Sequence, residues 1–192
     1  MYIEHLIYSA ALAIIIGMAF LRYTGRDQSW IIIFASIVPD IDYLFKIGCE
    51  FFSPLPSPTF MHGDFHAIPG LIFFSFFIAL FFSNAGIKFK HALFFSVVGY
   101  SSHLIEDFIV HPPYFNRYLY PFDTTLYGTK ILSDVPDLVI ANSGTLLIGV
   151  MVLCAAIIVR TRIEPGWSVK KYVGNGVTAC QKSIKRLMEG NE

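Results

Sequence analysis

Residues 91–110 read HALFFSVVGYSSHLIEDFIV, and the change of character along this stretch decides the fold. Its first half is apolar and suits hydrocarbon, whereas its second half carries Ser101, Ser102, His103, Glu106 and Asp107. Imidazole and carboxylate groups cost free energy inside a bilayer, so ionisable side chains embedded in an apolar helix face a protein interior or a cavity. His103 and Asp107 are spaced i, i+4, so on a helix they project from one face, one above the other. At about 1.5 Å rise per residue, Asp107 lies roughly one turn nearer the end of the segment than His103.

Four further apolar segments flank this one, at residues 3–21, 30–45, 68–82 and 138–159. The first begins Met-Tyr-Ile-Glu without a positive charge and is read as a membrane helix, not a signal peptide. The second is short and broken by Pro39 just before Asp40 and Asp42, and the third (IPGLIFFSFFIALFF) is a continuous apolar run. About 20 apolar residues are needed to cross hydrocarbon, so the second and third lean on neighbours. The fifth is the cleanest span. Composition agrees: of 192 residues, 55% are hydrophobic, with 19 Phe and 10 Tyr, and the mean hydropathy of +0.59 exceeds the usual soluble range.

The expected architecture is therefore all-α, a polytopic integral membrane helical bundle of about five hydrophobic helices with metal-type ligands at one membrane face. Residues 1–163 form the membrane-embedded helical domain, and residues 164–192 a basic cytoplasmic tail. Within that tail, residues 168–188 (SVKKYVGNGVTACQKSIKRLM) read as a weakly amphipathic surface helix on anionic lipid, interrupted by Gly174 and Gly176. A formal net charge of zero gives no ground for nucleic-acid binding, and the three cysteines imply neither a disulfide framework nor a Cys-type zinc site.

Orientation follows from the basic residues. With the N-terminus outside, Arg22, Arg26, Lys88, Lys90, Arg160 and every later Lys and Arg fall on the cytoplasmic side. Only Lys46, Arg117 and Lys130 of the 14 fall outside, while all acidic residues except Asp27, Glu164, Glu189 and Glu192 do so. The expectation is a multi-pass protein of the plasma or inner membrane, with its N-terminus extracytoplasmic and its C-terminus cytoplasmic.

That arrangement gathers His5, Asp40, Asp42, His62, His66, His103 and Asp107 on the extracytoplasmic side. Each element alone is also the pattern of a hydrogen-bonded core pair, a helix-end turn or an interface anchor. Several carboxylates at one depth repel unless a cation or protons neutralise them, and His with Asp suits a divalent metal such as Zn²⁺. Drawn from four segments at one depth, they are read as a shared metal site holding one or two ions.

The motifs resemble those of the membrane-bound metal-dependent hydrolases, inner-membrane-associated proteins of which some are described as LexA-binding. The resemblance covers roughly residues 1–125. Glu4-His5-Leu6 matches its N-terminal histidine, Val38-Pro39-Asp40-Ile41-Asp42 its Leu-Pro-Asp-x-Asp, and Gly99-Tyr100-Ser101-Ser102-His103-Leu104-Ile105-Glu106-Asp107 its Gly-Tyr-x-x-His-x-x-x-Asp. Tyr120-Pro121-Phe122 matches a downstream Tyr-Pro-Phe. In the remaining element, Met61-His62-Gly63-Asp64-Phe65-His66-Ala67, Gly63 replaces an arginine, the histidines are one residue closer and Ala67 replaces a serine. If that arginine grips an anionic substrate group, this chain lacks the grip at the matching position; His66 keeps its place before the apolar helix.

The resemblance, which extends distantly to zinc-dependent phospholipase C, implies metal-assisted hydrolysis of a phosphoester or lipid-like substrate at the interface, with the bilayer as the surrounding partner. Asp64 or Glu106 then serves as general base or orients a metal-bound imidazole. Two other classes stay open. A non-catalytic structural metal site would be closed by four ligands. An ion transporter would place ionisable groups near the midplane on broken helices, whereas these sit near one end.

Overall fold

The structure is a computed structural model that describes residues 2–41, 65–110, 117–127 and 138–189. Asp42, His62 and Asp64, three of the expected site residues, lie outside the described residues. Among the described residues the chain is helical apart from its connections: α1 (Tyr2–Thr24), α2 (Trp30–Ile37), α3 (Ile68–Ser83), α4 (Phe89–Val110), α5 (Leu138–Ile163) and α6 (Val169–Glu189). Where they are described, all five expected apolar segments are helical, but among the described residues only His5–Thr24 and Leu146–Ile163 are long and apolar enough to cross a membrane. Trp30–Asp40 and Ile68–Ser83 are shorter apolar helices, as their lengths in the sequence led us to expect, so two candidate spans stand where a bundle of about five hydrophobic helices was expected.

Local chemistry sets the helix ends. Pro39 lacks an amide hydrogen and cannot continue α2, so Val38–Asp40 closes as a 3-10 turn that carries Asp40 out of the helix. Pro69 sits in the first turn of α3, where a missing donor costs nothing, and the preceding Ala67 is extended.

Helices α1 and α5 pack together, α1 also packs on α2, and α4 packs on α2 and α3. The α2–α4 contact is close because Gly99 has no side chain: a Cβ there would overlap the Ile32 carbonyl oxygen. Ala35, Ala79 and Ala92 share that core with Ile31, Phe82 and Phe95. Two helices present apolar faces outward, with Ile72, Phe73, Phe76 and Phe77 of α3 and Leu147, Ile148 and Met151 of α5 exposed. An apolar surface of this extent needs a covering, which a bilayer supplies.

The tail departs from expectation. It is one continuous helix through Gly174 and Gly176, its amphipathic character is pronounced, and it packs on the bundle with Tyr172, Gly176 and Ser183 buried. Gly176 is where Trp30 lies against the helix, with a Cβ at that position only 3.2 Å from the indole ring.

Candidate metal centre

Alternation of the helices brings the starts of α1 and α3 to the same end as the 3-10 turn and the last turns of α4. His5, Asp40, His66, His103 and Asp107 meet there. His103 Nε2 lies 3.1 Å from His66 Nε2. Asp107 Oδ2 is 3.3 Å from His66 Nε2 and 3.4 Å from His103 Nε2. Asp40 Oδ1 is 3.5 Å and 3.8 Å from the same two nitrogens. His103 is 0% and Asp107 2% exposed, so bulk water does not screen the group.

These distances fit a metal ion. Four donors about 2.0–2.2 Å from a tetrahedral centre would stand roughly 3.3–3.6 Å from one another. The five separations above, 3.1–3.8 Å, bracket that value. The donor set, two imidazole nitrogens and two carboxylate oxygens, is of the borderline kind that suits zinc. Two facing Nε2 atoms can hold only one proton between them, whereas a cation accepts both lone pairs.

His5 joins from α1. Its Nε2 stands 3.2 Å from Asp107 Oδ1, the second oxygen of that carboxylate, and its ring stacks on His103 with centroids 4.2 Å apart. Its Nδ1 is 2.6 Å from Glu106 Oε2. His5, His103 and Asp107 thus form one cation-sized triad, and Asp40, His66 and His103 another, with His103 common to both. Asp107 presents one oxygen to His5 and the other to His66 and His103. Glu106, a candidate general base from sequence, is placed to fix the tautomer and orientation of His5.

Three residues outside the expected set hold the cluster in shape. Buried Tyr100 donates its hydroxyl to the Phe65 carbonyl at 2.5 Å, which anchors the residue before His66 to α4. Gly70 makes that possible, because a Cβ there would stand 2.8 Å from the Phe65 oxygen and 2.9 Å from the tyrosine hydroxyl. Tyr118 ties the same corner from the other side: its carbonyl accepts from Ile68 N at 2.8 Å and its hydroxyl donates to Leu104 O at 3.1 Å. Tyr100 and Gly99 stood in the matched motif, but without an assigned role; nothing in sequence spacing pointed to Gly70.

A second polar cluster occupies the opposite end of the bundle and was not foreseen. Arg160, counted from sequence among the basic residues of the cytoplasmic side, is 0% exposed. Its Nη2 donates to Asp27 Oδ2 at 2.5 Å and its Nε to Glu164 Oε2 at 3.0 Å. The guanidinium carbon lies 4.8 Å from the Trp167 ring centre and 5.5 Å from that of Tyr172. Asp27 Oδ1 also accepts from Ser29 Oγ at 2.7 Å, and Ser29 Oγ is 2.9 Å from the Tyr172 hydroxyl. Burial keeps that phenol protonated well above its ordinary range. Gly17 leaves the space, since a Cβ on it would stand 2.8 Å from Arg160 Nη1 and 3.0 Å from Asp27 Oδ1. The sequence signal was the i, i+4 spacing of Arg160 and Glu164.

Comparison with curated proteins and with solved structures gives no match. A family model described as YdjM inner membrane protein matches residues 1–167, a stretch that takes in helices α1 to α5 and every donor of the cluster. The chain belongs to the YdjM inner membrane protein family.

Proposed function

We propose that this inner membrane protein is a metal-dependent hydrolase whose centre is held by His5, Asp40, His66, His103 and Asp107. The observation that carries the reading is the convergence of two imidazole nitrogens and two carboxylate oxygens at 3.1–3.8 Å. A bound Zn²⁺, one ion or two, supplies Lewis acidity and lowers the pKa of water into the neutral range. Asp40, His66, His103 and Asp107 hold and orient it. His5 adds a donor on the far side of Asp107, and Glu106, 2.6 Å from its Nδ1, orients that imidazole and is the carboxylate placed to act as general base.

The substrate class we favour is an amphiphilic phosphoester. Support comes from the position of the cluster at one end of apolar helices, near the depth of lipid headgroups, and from the motif resemblance to metal-dependent hydrolases. In this reading the chain is multi-pass, with α2 and α3 supported by the two longer spans. The histidine end faces outward and Arg160 and α6 face the cytoplasm, in keeping with the distribution of Lys and Arg.

A second reading, a closed structural metal site that ties four segments together, is favoured by the number of donors, because four protein ligands leave no open position. The two readings part at turnover, since a closed four-ligand site binds metal and hydrolyses nothing. The test is metal content of the full-length protein in mild detergent, followed by hydrolysis of phosphoester lipids. Asp107→Asn should lose metal and turnover, while Asp123→Asn, at an exposed turn outside the cluster, should match the parent. Full metal content in both variants overturns the metal site; metal without turnover on any phosphoester lipid leaves the structural reading.

A further inference from the structure

Helix α6 lies beyond the family match, which ends at residue 167, and opposite the metal cluster. Its position shows how it runs. Tyr172 meets Ser29 and Gly176 meets Trp30, both at the start of α2. Near its other end, Arg186 donates to the carbonyl oxygen of Asn84, the C-cap of α3. From Tyr172 to Arg186 the helix covers roughly 21 Å at about 1.5 Å per residue. Both contact points are the same-side ends of two bundle helices. A helix that joins them runs across the end of the bundle, in the plane of the membrane surface.

Contacts with the bundle use one face, that of Tyr172, Gly176, Ser183 and Arg186. Next to that face, Val169, Val173, Val177, Ile184 and Leu187 form a second apolar stripe at helical spacing, and all are exposed. Among the described residues nothing covers the stripe. The rest of the helix circumference carries Lys170, Lys171, Lys182 and Lys185 against a single acid, Glu189. On the helical wheel Lys170 and Lys185 border the stripe on its solvent side. An in-plane helix with an apolar stripe edged by lysines is complementary to a leaflet that offers acyl chains below and anionic phosphates above.

We propose that α6 is an interfacial anchor, seated by its Val169–Leu187 stripe in an anionic lipid surface. The occupant is the headgroup layer of the membrane that surrounds the bundle. Three observations select it: the excess of positive charge on this helix, its orientation across the bundle end, and its nearness to the exposed apolar belt of α3 and α5. The inference stands apart from the hydrolase reading, since no residue of the metal cluster takes part.

The test uses the full chain with Cys49, Cys154 and Cys180 replaced by serine, reconstituted in nanodiscs of phosphatidylcholine with or without phosphatidylglycerol. Nitroxide labels are placed through Val173→Cys and Leu187→Cys on the stripe and Thr178→Cys on the polar side, and each variant's melting temperature is checked against the parent. With phosphatidylglycerol, the stripe labels should be open to oxygen and closed to a water-soluble nickel complex, and the Thr178→Cys label the reverse. Lys170→Gln with Lys185→Gln should lower the seated-to-released ratio by roughly fivefold for each lysine removed. Stripe labels that stay open to nickel in both lipids overturn the proposal. So does seating that ignores phosphatidylglycerol and both lysines. Spin–spin coupling between labels of neighbouring molecules would also overturn it, because a second copy would then cover the stripe.

Discussion

The two ends of the bundle bury charge in opposite ways. At the arginine end, one guanidinium faces Asp27 and Glu164 and lies over two aromatic rings, so the positive charge comes from the chain itself. At the histidine end, three carboxylates, Asp40, Glu106 and Asp107, converge with three imidazoles. A buried pair that supplies both signs is complete when the chain folds, whereas a buried group of acceptors is completed by something that binds. On the function proposed above, the arginine end is architecture and the histidine end is chemistry, and that contrast can be broken by experiment.

The largest effect is expected at the arginine end. Arg160→Leu strands two carboxylates beside an apolar side chain, and the fold should lose about 3–5 kcal/mol, read as a fall in melting temperature in detergent. Chelators should change neither the parent's nor the variant's behaviour at this cluster. If Arg160→Leu melts like the parent, the cluster is not a structural lock.

At the histidine end, stability should depend on metal instead. Zinc at about 100 times its dissociation constant should raise the parent's stability by about 2.7 kcal/mol, and chelation should remove that gain. Asp107→Asn should show no such response. An equal response in parent and variant would mean that zinc binds elsewhere.

A smaller effect is expected for Glu106→Gln, which keeps size but removes the charge that orients His5. Metal affinity, measured by competition with a chromophoric chelator, should fall about 10–100-fold, the usual loss for a group that positions a ligand. Unchanged affinity with lost turnover would instead assign Glu106 to proton transfer.

The smallest effect is one of pH. The Tyr172 phenol is buried, so its pKa in the fold lies above the unfolded value of 10.0. Stability linked to this group is complete below that pH, and it is lost as pH rises towards the folded value because only the unfolded chain ionises. Tyr172→Phe should therefore flatten the alkaline decline in melting temperature that begins near pH 10, while leaving zinc binding unchanged. Parallel curves for parent and variant would show that the phenol ionises equally in both states.

Helical periodicity made part of the local geometry legible in the sequence. His103 and Asp107 share a face because they are spaced i, i+4, and Pro39 had to end α2 just before Asp40. The same reasoning failed for Arg160, since an arginine near the end of an apolar segment reads as a surface charge unless its partners are known. Asp27 lies 133 positions earlier in the chain, and only packing of α5 on α1 brings the two together. The glycines of the tail misled for a related reason. Gly176 reads as a helix breaker, yet in the fold it is the place where Trp30 must fit.

The sequence by itself determined that the chain is helical and apolar, where most helices begin and end, which ionisable side chains share a helix face, and that α6 is basic. These follow from interactions a few residues apart along the chain. Only the tertiary structure decided that His5 meets Glu106, that Asp107 divides its oxygens between His5 and the His66–His103 pair, and that Arg160 is enclosed. The reason is steric: Gly17, Gly70 and Gly99 are the points where neighbouring groups approach too closely for a Cβ. A glycine in a linear sequence does not announce which distant segment will come to lie against it.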